Sequence, residues 1–468
     1  MSAKKELTPE EKAAQTAKFQ TLIDEKIANA RKAAAALLPF TQEQVDKLVR
    51  ACAKTVYDNA EELAKDAIEE TGYGKYEDKV AKNKGKSKTI YWSLKGKKSV
   101  GVIEHEKDTG LVKVASPVGV VGAITPVTNP IVTAMSNAMF AIKGRNPIVF
   151  AFHPKAMKCC AKTVNMINKE LAKLGAPENT VQYLDIASIE LTNMLAHATD
   201  VIIATGGMDM VRSVYSSGKP ALGVGAGNVQ ALIDEGVDYA DAIKKIITGR
   251  AFDNGIICSG EQSIIAPRKD YDKVMATASA AKGFVVPVEK RDALREVCFP
   301  GGHMNRAMVG RSAQEVAKAA GIDVPADTMA LIIEADGLKD VLGSEKMFPV
   351  LAGYRYDTWK EAVEIARDNL AKIGKGHSCV VHSNSDANIE YAGSHIEVSR
   401  VVVNQVCSTT AGGSFQNGLN PTNTLGCGSW GNNSISENLT YYHLINISRI
   451  AYWLKDRKIP ADDEIWAN

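Results

Sequence analysis

The run Gly119-Val120-Val121-Gly122-Ala123-Ile124 opens the part of the sequence that decides the fold. It is apolar and predicts a β-strand. Segments from about Ala156 to Leu174 and near Ile189 to Ala196 predict helices that separate further apolar runs. Those runs are Pro147–Ala151, Val181–Leu184 and Val201–Ala204. Continuous apolar strands alternating with helices indicate a parallel sheet covered on both faces, so we predict an α/β protein.

The sequence on either side extends this α/β pattern. Thr8-Pro9-Glu10-Glu11 is a capping box with proline at the first helical position, and it predicts the start of a first helix. Thr41-Gln42-Glu43-Gln44 predicts the cap of a second helix, and a third is predicted around Ala60–Glu70. A second α/β stretch runs from about Val229 to Trp430. The segment Ser408–Asn433 is rich in Gly, Asn, Thr and Ser and predicts a long functional loop.

The segment Ser99–Val118 has a different character. Two apolar runs, Val100–Ile103 and Leu111–Val114, flank a polar turn and predict a β-hairpin. A lone hairpin is only marginally stable in water, so we expect it to pair with another sheet or another subunit. The alternating segment Leu444–Trp453 predicts a strand suited to the same sheet.

Composition is typical of a soluble globular protein. The 468 residues are 45% hydrophobic and 24% charged, with a formal net charge of +2, so neither nucleic acid nor a membrane is an expected partner. We expect no signal peptide, and the most apolar stretch, Val118–Ile142, is interrupted by proline and asparagine. The eight cysteines include no CxxC pair, and no HExxH motif occurs. We therefore expect no metal site, unpaired cysteines and a cytoplasmic location.

Cys258 is the most informative single residue. It lies in the run Phe252-Asp253-Asn254-Gly255-Ile256-Ile257-Cys258-Ser259-Gly260-Glu261-Gln262-Ser263. Small residues at a turn let a substrate approach closely, so Cys258 is a candidate nucleophile if its thiolate is stabilised and reachable. The alternative is a buried structural cysteine, since free cysteines are among the most buried residues.

Two glycine-rich runs are candidate phosphate-binding turns. Thr205-Gly206-Gly207 ends a predicted strand and opens a helix, whose N-terminus can receive a pyrophosphate. Gly223–Asn228 is similar to a nucleotide fingerprint, but no clear helix pattern follows it. A tight turn or close backbone packing is the alternative interpretation of this second run.

Seven ordered blocks together resemble the aldehyde dehydrogenase superfamily, and its CoA-acylating branch in particular. The closest likeness is to CoA-dependent succinate-semialdehyde dehydrogenases, and it covers essentially the whole chain. The blocks are Ala123–Pro130, Ala204–Gly207, Gly223–Asn228, Asp253–Ser263, Glu345–Val350, Gly374–Ser378 and Leu425–Ser434.

The resemblance implies an aldehyde dehydrogenase-like fold in three parts. A Rossmann-type cofactor domain comprises residues 1–98 and 119–228, and an α/β catalytic domain comprises residues 229–433. A small β oligomerisation flap comprises residues 99–118 and 444–468, which implies a homodimer or a higher homo-oligomer.

The resemblance also implies catalytic roles. Cys258 matches the nucleophile, and Asn129 matches the amide that holds the oxyanion together with the Cys258 backbone N–H. The alternative role of Asn129 is a turn cap. His377 lies in a Gly-rich loop that the branch shares, where it is a candidate for handling CoA or the acyl group; a structural hydrogen bond is its alternative role.

NADP or NAD is the implied cofactor, and coenzyme A is the implied co-substrate. Glu345 matches the acid that holds the nicotinamide ribose, with a solvated surface glutamate as the alternative. NAD-specific sites usually place an acid after the second strand, whereas His153 and Lys155 stand there, so we expect NADP(H) to be accepted. The alternative is that Lys155 merely starts a helix in solvent. The candidate cofactor contacts are Thr125, Pro126, His153, Lys155, Thr205, Gly206, Gly207, Gly225 and Glu345.

One departure from the hydrolytic members of the superfamily carries chemistry. Those enzymes have a glutamate that activates water, and the matching position here is Val224, with no carboxylate before Asp234. Without such a base, water attacks a thioester poorly, whereas a thiol such as CoA needs far less help. The missing carboxylate and the family likeness therefore predict that the acyl group leaves on CoA.

The predicted activity is that of a CoA-acylating aldehyde dehydrogenase acting on succinyl-CoA and succinate semialdehyde. The alternatives are an enzyme for acetaldehyde or another short-chain aldehyde, a cysteine hydrolase and a non-catalytic family member. The first helix as a tether to a bacterial microcompartment shell is a further alternative, which the lack of a Pro/Gly linker after the helix disfavours.

Overall fold

The computed structural model describes residues 8–467, which form three β-sheets with helices packed around them. Within these residues, no helix is both long and apolar enough to cross a membrane. The α-helices are α1 Pro9–Leu37, α2 Gln42–Asp58, α3 Ala60–Thr71, α4 Tyr76–Leu94, α5 Pro130–Lys143, α6 Met157–Lys173, α7 Ile189–Ala198, α8 Met208–Tyr215, α9 Tyr239–Ala251, α10 Tyr271–Ala276, α11 Arg291–Cys298, α12 Ala313–Ala319, α13 Trp359–Lys372, α14 Asp386–His395, α15 Cys407–Thr410 and α16 Asp462–Ile465. The strands are β1 Gly101–Glu106, β2 Leu111–Pro117, β3 Val121–Ile124, β4 Ile148–Ala151, β5 Val181–Tyr183, β6 Val201–Thr205, β7 Ala221–Val224, β8 Gln230–Ile233, β9 Ser263–Pro267, β10 Gly283–Val285, β11 Ala330–Glu334, β12 Val350–Tyr356, β13 Cys379–His382, β14 Val401–Val403 and β15 Ile445–Ala451.

The first half of the chain forms a five-stranded parallel sheet in the order β5-β4-β3-β6-β7. Val121 and Ala123 pack into a core shared with α2, α5 and α6, whereas Val120 and Ile124 pack into a core shared with α1 and α7. Successive residues of a strand face opposite sides of its sheet, which is why these strands are apolar throughout. The strand order reverses between β3 and β6, and open α/β sheets bind ligands at such a point.

The second half forms a seven-stranded parallel sheet in the order β10-β11-β12-β9-β8-β13-β14. It too is buried on both faces, because Leu331 and Ile333 of β11 pack on one side and Ala330 and Ile332 on the other. The prediction of an α/β protein is therefore confirmed for both halves. Only a short segment joins β7 to β8, so the two sheets approach each other closely there.

The third sheet is antiparallel and has three strands, β1-β2-β15. Ile445–Ala451 pairs with β2 along its whole length, which confirms that the hairpin has a partner strand. Tyr452 and Trp453, directly after β15, are 64% and 85% exposed, so a large apolar surface remains open beside this sheet. The three sheets support the predicted division into three domains, which stays a proposal.

The helix predictions succeeded at capped ends and failed where caps and apolar stripes are missing. Thr8 and Thr41 both form the predicted capping boxes. No helix or strand is predicted from the sequence over Tyr76–Leu94, where the structure has α4. The buried positions of this helix include Lys79 and Asn83, so it lacks the apolar stripe by which an amphipathic helix is recognised.

Candidate active site

Cys258 lies in a turn between α9 and β9 that a buried arginine holds. Arg250, at the end of α9, is fully buried. Its guanidinium donates to the Glu261 carbonyl at 3.0 Å and also to the Gly255 carbonyl. Because these carbonyls lie on either side of Cys258 in the chain, one side chain fixes both ends of the turn.

The backbone just before Cys258 is left-handed over three residues. Asp253 and Asn254 both have a φ of 52°, and Gly255 has a φ of 76°. Asn and Asp tolerate this region better than other side chains, and glycine adopts it without strain. A Cβ at Gly255 would also lie 2.4 Å from the Arg250 guanidinium. Both the positive φ and this lack of space therefore require glycine at position 255.

Cys258 lines a cavity of about 210 Å³. Helix α4 forms one wall, and the predicted functional loop forms another through residues 408–425. Asn129 also lines the cavity, so the structure brings together two residues predicted from separate blocks. Among the described residues that line it, there is no Asp or Glu. The polar side chains of the lining are Lys82, Lys86, Thr89, Asn129, Ser259, Ser408, Thr409, Ser414, Thr422 and Asn423.

Asn129 is held by a lysine and does not cap its helix. It precedes α5 but makes no capping hydrogen bond through its side chain, so the turn-cap alternative is wrong. Its Oδ1 instead accepts from Lys82 Nζ at 2.7 Å. An ammonium group can only donate, so the oxygen of the amide must face Lys82. The Nδ2 end makes only a long contact, 3.4 Å, with the Thr128 hydroxyl within the described residues.

Lys82 belongs to a buried ionic cluster. Its Nζ donates to Asp253 Oδ2 at 2.6 Å, and Lys79 Nζ donates to the same oxygen at 3.0 Å. Burial alone would raise the pKa of Asp253, but the two ammonium groups hold that pKa below its ordinary value. Burial lowers the pKa of Lys79 to about 8, with the charge of Lys82 adding to the effect.

Lys86 places a second ammonium group on the cavity wall. Its Nζ donates to the carbonyls of Gly412 at 2.9 Å and Thr422 at 3.1 Å, and no described carboxylate pairs with it. Burial lowers the pKa of Lys86 to about 8. The group is therefore mainly cationic at neutral pH, and its charge is not neutralised by a neighbouring acid.

The Cys258 thiol lies in surroundings that disfavour its charged form. Burial raises its pKa to about 12, and the negative charge of Glu345 acts in the same direction, whereas Arg400 opposes the rise. Cys258 is therefore a thiol at neutral pH, and its proton must leave for it to act as a nucleophile.

Glu345 is close to the nucleophile turn and is not a solvated surface residue. Its Oε1 accepts from the Gly227 N–H at 3.3 Å, and burial raises the pKa of Glu345 to about 7. A Cβ at Gly227 would lie 2.0 Å from the Cys258 carbonyl oxygen. The run Gly223–Asn228 is thus a segment of close backbone packing, as its alternative interpretation held. Gly225 lies in this run and is not among the described residues of the cofactor cleft defined below.

His377 is fully buried behind the site. Its Nδ1 lies 3.1 Å from the Ser378 hydroxyl, and its backbone carbonyl accepts from Arg400 at 2.6 Å. Its Nε2 has no partner within residues 8–467. Burial lowers the pKa of His377 to about 3, so the ring is neutral. It is not part of the described cavity lining, which leaves a direct role with CoA as a prediction.

A second opening, which we call the cofactor cleft, lies at the carboxyl ends of β3, β4 and β6. Its volume is about 870 Å³. The predicted cofactor contacts that line it are Thr125, Pro126, His153, Thr205, Gly206 and Gly207. Gly207 precedes α8, and no side chain caps the N-terminus of that helix. Open backbone N–H groups beside glycines at a strand-order reversal fit a dinucleotide pyrophosphate.

Lys155 binds Tyr73 and not the described lining of this cleft. Its Nζ donates to the Tyr73 hydroxyl at 3.0 Å, and it is absent from the described cleft lining. His153 does line the cleft, with its Nδ1 accepting from the Lys155 backbone N–H at 3.1 Å. Burial lowers the pKa of His153, with the charge of Lys155 adding to the effect. Only His153 of this pair is thus in place to contact a cofactor without rearrangement.

Three residues of the site escaped the sequence analysis: Lys82, Lys86 and Arg250. The first two stand one turn apart on α4, and Lys79 lies one turn before them on the same face. Three lysines on one helix face, beside buried Asn83 and Ser87, were a signal that this face is neither core nor solvated surface. Arg250 gives no such signal, because a single arginine at a helix end is ordinary.

The chain is similar to proteins of known family. The profile of the aldehyde dehydrogenase family matches residues 6–324. The succinate-semialdehyde dehydrogenase (acetylating) of Clostridium kluyveri is 54% identical over 95% of this chain and 98% of its own length. The crystal structure of an acetylating aldehyde dehydrogenase from Geobacillus thermoglucosidasius has a TM-score of 0.90 and 35% identity, covering 95% of this chain and 99% of that one.

A further crystal structure is relevant to the chemistry of the cysteine. It shows a propionaldehyde dehydrogenase from Rhodopseudomonas palustris with bound CoA and an acylated cysteine. Its TM-score is 0.84 and its identity 26%, covering 92% of this chain and 97% of that one.

Proposed function

Because the chain belongs to the aldehyde dehydrogenase family, we propose that it is a CoA-acylating member. It interconverts an aldehyde, CoA and NAD(P)⁺ with an acyl-CoA and NAD(P)H. The observation that carries this proposal is the cavity at Cys258, which holds a cysteine and an amide but no carboxylate among its described lining residues. The predicted family and fold class are confirmed by the comparisons.

In this proposal Cys258 loses its proton to solvent and its sulfur attacks the aldehyde carbonyl carbon. The electron pair of the C=O bond moves to oxygen, where the Cys258 N–H and the Asn129 Nδ2 stabilise the developing charge. The nicotinamide cofactor, when bound in the cleft, supplies the hydride acceptor. Once hydride has left, the substrate is a thioester of Cys258. The CoA thiolate then forms a new bond to the carbonyl carbon, and the Cys258 sulfur leaves.

The fate of the thioester follows from what surrounds it. Water needs a general base to attack a thioester at a useful rate, and a carboxylate is the usual base at this point of the hydrolytic enzymes. Val224 is buried at the end of β7, and the described cavity lining offers no acid in its place. A thiolate needs no such help, so transfer to CoA outruns hydrolysis.

Product analysis tests this proposal. Aldehyde and NAD(P)⁺ are supplied with and without CoA, and the products are identified by mass spectrometry. We expect acyl-CoA when CoA is present, and little free acid when it is omitted. Rapid stoichiometric acid formation without CoA would refute the proposal.

We further propose succinate semialdehyde and succinyl-CoA as the substrates. The relative from Clostridium kluyveri carries that activity in its name, and Lys86 supplies a physical reason. Its ammonium group lines the same cavity as Cys258 and lacks an acidic partner among the described residues. A carboxylate at the far end of the substrate would neutralise this buried charge, which acetyl and butyryl groups cannot do.

Steady-state rates with succinyl-CoA, acetyl-CoA and butyryl-CoA test the substrate. We expect kcat/KM to be highest for succinyl-CoA, by about tenfold or more, which is the range of one charge-assisted hydrogen bond. A preference for acetyl-CoA or butyryl-CoA would favour the short-chain alternative and would leave the CoA-acylating activity standing.

We propose a homo-oligomer built through the three-stranded sheet, and a cytoplasmic location. An exposed strand edge needs a partner, and Tyr452 and Trp453 beside β15 are largely exposed.

The cysteines support the proposed cytoplasmic location. All eight are unpaired, as in a reducing compartment. The first helix packs on the fold through buried Phe19 and Ile23, so it does not have the form of a free shell tether.

Deleting the hairpin Ser99–Val118 tests the oligomer. We expect the variant to dissociate, as measured by light scattering, with its secondary structure checked by circular dichroism. A folded variant with unchanged oligomeric mass would contradict the proposed interface.

A further inference from the structure

Among the side chains of residues 8–467, only that of Lys82 hydrogen-bonds both to the oxyanion amide and to Asp253 of the nucleophile turn. Its Nζ donates to Asn129 Oδ1 at 2.7 Å and to Asp253 Oδ2 at 2.6 Å. Asp253 lies five residues before Cys258 in the left-handed stretch of the turn. One ammonium group thus connects the Asn129 amide with the turn that carries the Cys258 N–H, the two groups that would bind the substrate oxygen.

We propose that Lys82 is a positioning residue, which fixes the orientation of the Asn129 amide for oxyanion stabilisation. This rests on the proposed function, in which Asn129 donates to the oxyanion. An asparagine side chain can rotate by half a turn and exchange its oxygen and its NH₂ group. With oxygen toward the cavity, the amide would repel an oxyanion. Lys82 prevents that orientation, because its ammonium group would then meet the NH₂ group, and neither can accept a hydrogen bond.

The rest of the cluster holds Lys82 in place. Asp253 is fully buried, and its Oδ1 accepts from the Lys75 backbone N–H at 2.8 Å. Its Oδ2 accepts from Lys79 and Lys82. The carboxylate thereby accepts three hydrogen bonds, all from α4 and the residue that precedes it, and is fixed to that helix. A Cβ at Gly74 would lie 2.0 Å from Asp253 Oδ1, so glycine there makes room for the carboxylate.

The chain supplies a matched control for this idea. Lys79 shares the oxygen of Asp253, lies on the same helix and is buried like Lys82, but it makes no hydrogen bond to Asn129. Removing either ammonium group takes one donor from the buried carboxylate. Only the removal of Lys82 releases the amide.

The test is a double-mutant cycle of Lys82→Met with Asn129→Ala, and Lys79→Met as control. We expect Asn129→Ala to lower kcat for acyl-CoA reduction by about 100-fold, which is typical of losing one oxyanion donor. Lys82→Met should lower kcat by about 30-fold with KM almost unchanged, because it disturbs that same donor without removing it. The double variant should be no slower than Asn129→Ala, since the lysine then has no amide to orient.

Lys79→Met should lower the melting temperature about as much as Lys82→Met does, while lowering kcat less than about threefold, which is within the effect of a small shift in packing. The proposal is wrong if kcat of the double variant falls by the product of the two single losses, because the two residues would then act independently. It is also wrong if Lys79→Met lowers kcat as much as Lys82→Met does. If Asn129→Ala is fully active, the oxyanion role of Asn129 falls and this inference falls with it. The proposed CoA-acylating activity is tested separately, by the product analysis with and without CoA.

Should Lys82→Met fail to fold, the variant Lys79→Met/Lys82→Met/Asp253→Asn removes all three charges of the cluster and leaves none of them buried without its partner. The same kcat loss, absent when Asn129 is also alanine, is expected there. Normal kcat in that folded variant would overturn the proposal.

Discussion

The cofactor cleft and the Cys258 cavity are built in opposite ways. The cleft is formed around strand ends, glycines and an uncapped helix N-terminus, so the groups there that fit a pyrophosphate are backbone N–H groups. The cavity is formed by side chains from four distant segments, and the charged residues of its described lining are Lys82 and Lys86. A backbone site accepts a ligand common to many proteins, whereas a side-chain site can be tuned to one substrate. Substitutions should therefore harm the chemistry mainly at the cavity and cofactor choice mainly at the cleft.

The sharpest separation of the two sites comes from Cys258→Ala. We expect acyl-CoA reduction to fall by at least about 1000-fold, because the covalent step has no other nucleophile. Cofactor binding, measured by the fluorescence of NAD(P)H, should be nearly unchanged, since the cleft lies at another sheet. Residual activity above a few per cent of the native rate would mean that the covalent mechanism is wrong.

Lys86→Met should reduce the preference of the enzyme for succinyl-CoA over butyryl-CoA. We expect kcat/KM for succinyl-CoA to fall by about 30-fold, in the range of one hydrogen bond to a charged group, with a much smaller change for butyryl-CoA. Lys84→Met is the matched control, because Lys84 is on the same helix and pairs with Glu61 at the surface. The pKa of Lys86 is lowered to about 8 by burial, so the preference for succinyl-CoA should also weaken as pH rises above that value. Equal losses for both substrates would remove Lys86 from substrate recognition.

The charge state of Cys258 offers a finer test of the cavity. Since burial raises the pKa of its thiol to about 12, the thiolate fraction grows with pH throughout the neutral and mildly alkaline range. We expect alkylation of Cys258 by iodoacetamide to speed up about tenfold per pH unit from neutral pH to about pH 9. Peptide mass spectrometry distinguishes Cys258 from the other cysteines.

Glu345→Gln should accelerate this alkylation several-fold above neutral pH, because the Glu345 charge helps to raise the thiol pKa. In the native protein, an alkylation rate that levels off below about pH 8 would show that the site stabilises the Cys258 thiolate. That result would contradict the expected rise of the rate up to about pH 9.

The smallest effect is expected at the cleft. Lys155→Glu should raise KM for NADPH by about threefold and KM for NADH less, as a rearranged Lys155 would pair with the 2′-phosphate. In the structure Lys155 binds Tyr73, so its ammonium must turn to reach the cleft. Tyr73→Phe is a useful companion, because it removes the hydroxyl that accepts from Lys155 without changing charge. Identical effects on both cofactors would exclude Lys155 from the phosphate site.

The sequence by itself determined the parts whose cause is local. Alternating apolar runs predicted the parallel sheet, because each strand must be apolar on both faces when helices cover it. The capping boxes at Thr8 and Thr41 fixed two helix starts within one turn. The turn at Cys258 and the valine at position 224 were likewise readable, since both depend on residue type at a single place.

Only the tertiary structure decided which charges face Cys258. Lys82 meets Asp253 across 171 residues of sequence, and Lys86 meets Thr422 across 336. No local pattern can encode such contacts, because crossover connections bring the ends of distant strands and helices together only when the sheets have formed. The buried lysines of α4 also masked the helix that carries them, since a polar buried face removes the apolar periodicity from which a helix is recognised.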